Sequence, residues 1–177
     1  MRREQLEHLI RAAGTIVDDD EIVVIGSQAI LGQFPEAPSD MLRSMEADLY
    51  PKNKPERADL IDGSIGEGSP FHTSFGYYAQ GVGERTAVLP RGWLDRVFVV
   101  RSPATRGTSG LCLEVHDLVI SKLVAGREKD MDFGRTAARH GLVDAQNLRA
   151  RLAETTLAPA LRDAVLVRIA RICDAPT

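Results

Sequence analysis

EIVVIGSQAILG, residues 21–32, decides the fold. Ile22, Val23, Val24 and Ile25 are β-branched and consecutive. A run this short and continuously apolar is the pattern of a strand covered on both faces. Gly26 has no side chain to obstruct a tight turn, and Ser27 is placed to cap a short helix over QAILGQF. The stretch therefore reads as strand, glycine turn, helix.

Working outward, residues 3–17 set Leu6, Leu9, Ile10, Ala13 and Ile16 or Val17 at three- and four-residue spacings, the stripe of an amphipathic helix that Asp18, Asp19 and Asp20 end. On the other side, Pro35 to Ser44 is turn-prone. Residues 45–50 then alternate, with Met45, Ala47 and Leu49 on one face and Glu46, Asp48 and Tyr50 on the other. A helix is expected over 56–66 with Leu60, Ile61 and Ile65 inward, a turn and a strand near 77–82, and a strand over 96–101 around VFVV. PATRGTSG reads as a loop and LCLEV at 111–115 as a short extended segment.

From His116 onward the pattern turns helical. Leu118, Val119 and Leu123 repeat at helical spacing until Gly126, and a second helix spans 127–139 with Gly141 as its stop. Asp144 is placed to cap AQNLRARLAE, and a last helix runs from about Pro159 to Cys173. The fold class is α/β (α+β): a mixed β-sheet with packed helices and a helical C-terminal third.

Composition narrows the function classes. The chain has 177 residues, 44% hydrophobic and 27% charged, enough for one well-filled core. Its formal charge of −3 gives no global attraction to nucleic acid or an anionic membrane. Only Cys112 and Cys173 are present, so neither a disulfide framework nor a cysteine-rich zinc site is expected. The N-terminal MRREQLEHLI lacks the pattern of a signal peptide, and no apolar run reaches the roughly 18 residues of a membrane span. These features place the protein in the cytoplasm.

Candidate chemistry centres on Glu46 and Asp48. Two apart on a strand, they project both carboxylates from one face, where they could share a divalent cation; without one, the like charges repel. A solvated strand face is the other reading. GSQAILG resembles neither GxxxxGK[ST] nor GxGxxG, although its backbone N–H groups and the Ser27 hydroxyl suit a phosphate. The four histidines show no zinc-hydrolase spacing, and GSQAI lacks the GxSxG elbow. Trp93 and the pair Tyr77-Tyr78 lack an interleaved basic stripe, so they read as packing groups.

VVIGSQAILG followed by EADLYP resembles the minimal nucleotidyltransferase superfamily, which has a Gly-Ser turn after the first strand and an acid-x-acid motif on the next. LEVHDLVISKLVAGREKDMDFGRTAARHGLVD is similar to uncharacterised bacterial proteins of that superfamily related to the AbiEii-like toxins. The resemblance covers about residues 20–145 and implies one nucleotidyltransferase-like domain over 1–177, with 116–177 as its helical part.

It further implies that Gly26 and Ser27 hold a nucleoside triphosphate while Glu46 and Asp48 ligate magnesium or manganese. Lys122 joins the acids as a catalytic group, Arg127 and Lys129 bind the nucleotide, and Asp130 orients a basic partner. The reaction implied is transfer of a nucleotidyl group to a hydroxyl of protein, RNA or a small molecule, in a toxin that pairs with an antitoxin. Active members commonly add a third carboxylate on a later strand. Here Tyr78 and Gln80 stand in the matching region, with Asp95 and Glu114 as substitutes. An inactive nucleotide- or partner-binding module of the same fold is therefore the alternative to an enzyme.

Overall fold

The computed structural model describes residues 1–173. Two compact units divide the chain: Met1–Thr86 with Val97–Glu114, and Ala87–Arg96 with the chain from Val115 onward.

The first unit is built on a five-stranded mixed sheet. Helix α1 spans Arg3–Val17 and buries Leu6, Leu9, Ile10, Ala13 and Val17, the stripe that its spacing predicts. Asp18 closes it in the left-handed region at φ 53°. Strand β1 is Glu21–Val24, with Ile22, Val23 and Val24 fully buried, as a strand covered on both faces requires. A 3₁₀ turn, Ser27–Ala29, then leads into the short helix α2, Ile30–Gln33.

Strand β2 is Glu46–Pro51 and helix α3 is Ala58–Ile65, after a 3₁₀ turn at Pro55–Arg57. Next come α4, Pro70–Phe75, and β3, Tyr78–Gly81. Strands β4, Phe98–Val100, and β5, Ser109–Cys112, complete the sheet. Its order is β3-β2-β1-β5-β4. β1 runs antiparallel to β2 and parallel to β5; β2 and β3 are parallel, and β4 and β5 antiparallel. Ala47 and Leu49 are fully buried while Glu46 and Asp48 are partly exposed, but the expected alternation over 45–50 holds only in part: Met45 lies before the strand and is exposed, and Tyr50 is buried.

The second unit is helical: α5, Val115–Ala125; α6, Glu128–Arg139; α7, Ala145–Ala153; and α8, Pro159–Cys173. α5 packs against the other three and supplies Leu118, Val119, Ile120 and Leu123 to the core. Asp144 caps α7 by accepting the Asn147 N–H at 2.8 Å. Asp117, fully buried, receives Arg96 through two bonds, Nε to Oδ2 at 2.9 Å and Nη2 to Oδ1 at 3.1 Å. Arg151 Nε lies 3.1 Å from Oδ1, close enough for charge pairing but outside hydrogen-bond geometry.

Several expectations are corrected. Ser27 does not cap the helix after it: Gly26 occupies the cap position and no side-chain cap bond forms. Residues 70–75 are helical, where a turn was expected, because Ser69 accepts the His72 N–H, Pro70 fits the first turn and Gly76 closes the end at φ 74°. Leu60 is half exposed; only Ile61 and Ile65 of the expected trio are buried, because α3 turns that side to solvent. The strand expected over 96–101 is Phe98–Val100, since Trp93–Arg96 is a 3₁₀ turn. The extended segment at 111–115 begins earlier, at Ser109, and ends at Cys112.

Candidate functional site

β1 and β2 run side by side, and the pairing that joins Val24 to Leu49 continues into the turn, where the Ile25 N–H donates to the Asp48 carbonyl at 3.1 Å. This register carries Asp48 to Gly26. A Cβ built on Gly26 would meet Asp48 Oδ2 at 1.8 Å and Cγ at 2.8 Å. Gly26 has φ −78° and ψ −176°, a conformation open to any residue. Space for the Asp48 carboxylate, not backbone freedom, is what demands glycine here.

Glu46 enters from the start of β2. Its N–H donates to Ser44 Oγ at 3.1 Å, and the same hydroxyl donates to the Glu46 carbonyl at 3.3 Å, so a serine turn sets the strand's first residue. Across the sheet Tyr78 lies level with Glu46 and Gln80 level with Asp48. The Tyr78 hydroxyl donates to Glu46 Oε2 at 3.3 Å. Burial raises the Tyr78 pKa above the usual phenol value, and the charge of Glu46 adds to it.

Gln28 follows in the 3₁₀ turn and is fully buried, yet neither its amide nitrogen nor its oxygen has a hydrogen-bond partner. A buried amide normally finds one, so this side chain is a polar group in want of a ligand or water. The sequence reading passed over it. Its only signal there was a second polar residue, directly after Ser27, between the apolar runs 22–25 and 29–31.

The carboxylates at this edge are hard oxygen donors, the kind that magnesium and manganese prefer, and the missing side chain of Gly26 leaves the space that the Asp48 carboxylate fills. The residues therefore fit a divalent cation. Among the described residues, no group of three or more His, Cys, Asp and Glu side chains could hold a metal. Glu114 thus does not complete a triad with Glu46 and Asp48, and Asp95 falls in the other unit.

In the helical unit, the left-handed turn at Gly126, φ 68°, ends α5 and starts α6. Asp130, fully buried in the first turn of α6, collects both basic groups: Lys122 Nζ at 3.3 Å, Arg127 Nε at 2.6 Å and Arg127 Nη2 at 3.3 Å. Burial alone would raise the Asp130 pKa. The Arg127 hydrogen bond and the Lys122 charge outweigh it and hold the carboxyl below its ordinary value. Lys122 also lies over the Phe133 ring, 4.7 Å from its centroid. Lys129 is exposed.

An open cleft of about 650 Å³ lies elsewhere, at the beginning of β1, lined by Asp18, Asp19, Asp20, Asn53, Lys54 and Arg106 among others. Its polar groups largely serve one another: Asp19 accepts the Asn53 N–H, the Asn53 amide and the Glu21 N–H. The Gly26 edge differs in offering its acidic oxygens from one strand face.

A family model described as "Nucleotidyltransferase of unknown function (DUF6036)" matches residues 4–171. The chain belongs to this family. No curated protein and no solved structure matches the chain. Membership in DUF6036 agrees with the nucleotidyltransferase resemblance at superfamily level. Among the described residues of this DUF6036 protein, no helix is long and apolar enough to cross a membrane.

Proposed function

We propose that this DUF6036 protein is a magnesium-dependent nucleotidyltransferase that moves a nucleotidyl group from a nucleoside triphosphate to a hydroxyl acceptor. The observation that carries the reading is the Asp48 carboxylate seated against Gly26, with Glu46 on the same strand face. Both carboxylates are assigned to magnesium or manganese, and the Gly26-Ser27 turn to the triphosphate. When bound, the cation supplies charge neutralisation on the phosphates and lowers the barrier to attack. Glu46 and Asp48 hold and orient; the rigid strand keeps them in place before substrate arrives.

In the helical unit, Lys122, Arg127 and Lys129 are assigned to phosphate, with Lys122 catalytic. Asp130 fixes the first two through the bonds described above, so the cations are oriented before an anion binds. Protein, RNA or a small molecule could offer the accepting hydroxyl. The resemblance to AbiEii-like toxins extends the reading to a toxin held in check by an antitoxin; growth arrest on expression, relieved by an adjacent gene, tests that extension.

The direct test is calorimetric titration of wild type and Asp48→Asn with nucleoside triphosphates, with and without magnesium. Wild type is expected to bind magnesium and triphosphate together more tightly than either alone. Asp48→Asn should weaken the coupled binding about tenfold, about 1.4 kcal/mol. Equal affinity in all four titrations would remove the acidic pair from the function.

A second reading is a nucleotide- or partner-binding module without turnover. It draws on Tyr78 and Gln80, neutral side chains level with the two acids where a further carboxylate would serve. Incubation with labelled triphosphates, magnesium or manganese, and cell extract separates the two: label transfer lost in Asp48→Asn identifies an enzyme, and binding without transfer identifies the module.

A further inference from the structure

The cleft of about 650 Å³ lies within the first unit, at the opposite end of β1 from Gly26. Its volume is that of a small-molecule site, yet no apolar side chain lines it; threonine, aspartate, asparagine, lysine, arginine and glycine do. It suits a polar ligand, not a lipid or an aromatic one. Asp18, Asp19 and Asp20 line it with two cations, Lys54 and Arg106, so the lining carries one negative charge in excess. The C-terminal end of α1 adds negative partial charge. A triphosphate is therefore disfavoured here.

Some of these groups build the walls. Lys54 Nζ donates to the Asp18 carboxylate at 2.8 Å, and Asp19 accepts from the Asn53 backbone, the Asn53 amide and the Glu21 N–H. Gly14 lets α1 approach the loop before β5, since a Cβ there would meet Thr108 Cγ2 at 2.6 Å. Asp20, Arg106 and the Thr108 hydroxyl take no part in this. Among the described residues neither charge has an ion-pair or side-chain hydrogen-bond partner, and Thr108, only 9% exposed, keeps an unpartnered hydroxyl on the cleft wall. Asp20 and Arg106 thus share one cleft without pairing. A ligand carrying both signs can join them without breaking an existing pair.

We propose that this cleft binds a basic amino acid, with its carboxylate at Arg106, its cationic head at Asp20 and Thr108 as a further hydrogen-bonding group. Such a ligand brings one net positive charge, which matches the excess on the lining, and its carboxylate suits the forked donors of a guanidinium. The inference goes beyond the nucleotidyltransferase reading and does not depend on it.

The test is a heteronuclear NMR titration of the full chain at low salt with L-lysine, with cadaverine, which is lysine without its carboxylate, and with L-glutamate. L-Lysine is expected to move the amide resonances of Asp20, Gly107 and Thr108 in a saturable way. L-Glutamate, of opposite net charge, should leave them in place. Arg106→Gln should weaken lysine binding about fivefold and leave cadaverine unchanged, whereas Asp20→Asn should weaken both about fivefold. Both positions are exposed, so the thermal transition should stay as in wild type. A merely solvated cleft would show no saturable shift with lysine, and that outcome overturns the proposal. So does glutamate binding as tight as that of lysine, or a lysine affinity that neither substitution changes.

Discussion

The Asp48 carboxylate occupies the space that a side chain on Gly26 would need: an added Cβ would meet Oδ2 at 1.8 Å. Gly26→Ala must push the carboxylate aside or bend the turn. Overpacking of this kind costs about 1–3 kcal/mol, a loss of several degrees in Tm for a chain of this size. Much of the loss should vanish in an Asp48→Gly background, where the obstructing group is gone. Thermal melts of the two single variants and the double variant measure the coupling; additive losses would show that the two residues do not compete for space.

Asp130→Asn should destabilise the helical unit by about 2 kcal/mol, because it removes the charge that Lys122 and Arg127 share. Arg127 is largely exposed, so solvent screening limits its share and Lys122 carries more. The effect depends on pH with a defined sign. The folded state holds the Asp130 pKa below its unfolded value, so the stabilisation is fully present above the unfolded value of about 3.9 and is lost as pH falls through the lower folded value. Denaturant melts should show the wild-type advantage intact at about pH 6 and shrinking under strongly acid conditions.

Asp117→Ala leaves Arg96 and Arg151, both only about a fifth exposed, without their shared carboxylate. Breaking a buried pair on one side costs about 3–5 kcal/mol. The 3₁₀ turn Trp93–Arg96 belongs to the helical unit and is tied to it by Arg96, so protease sensitivity within 87–96 should rise together with the loss of stability. A variant as stable and as protease-resistant as wild type would show that the network contributes nothing net.

Cys112 is fully buried, and burial pushes its thiol up to about 12. Since the thiolate is the reactive form, the native protein at pH 8 should leave Cys112 unmodified by an alkylating reagent, while denaturant exposes it to rapid reaction. Mass spectrometry after timed alkylation reads both states.

The sequence announced those parts of the fold whose signals are local. Leu6, Leu9 and Ile10 mark α1 through spacing alone, Ile22 to Val24 mark a strand covered on both faces, and Asp144 marks a cap. What escaped it depends on partners far along the chain. That β1 lies between an antiparallel β2 and a parallel β5 follows from long-range pairing, which no window of residues records. Ser27 missed its cap because Gly26 is the last extended residue before the turn, and α4 was hidden because its six residues carry a single apolar pair at helical spacing, Phe71 and Phe75. The acidic pair was visible as an alternation. Its seat against Gly26 and the phenol beside Glu46 emerged only once β1, β2 and β3 were aligned.

Strand β4 closes one edge of the sheet with three residues, among them Val99, which is 57% exposed. An exposed apolar edge is ordinarily a template for intermolecular strand addition, yet three residues offer a newcomer very few backbone hydrogen bonds. The 3₁₀ turn Trp93–Arg96 before it and Pro103 after it, which lacks an N–H, prevent the edge from lengthening. The brevity of β4 therefore acts as a safeguard against fibril-like self-association.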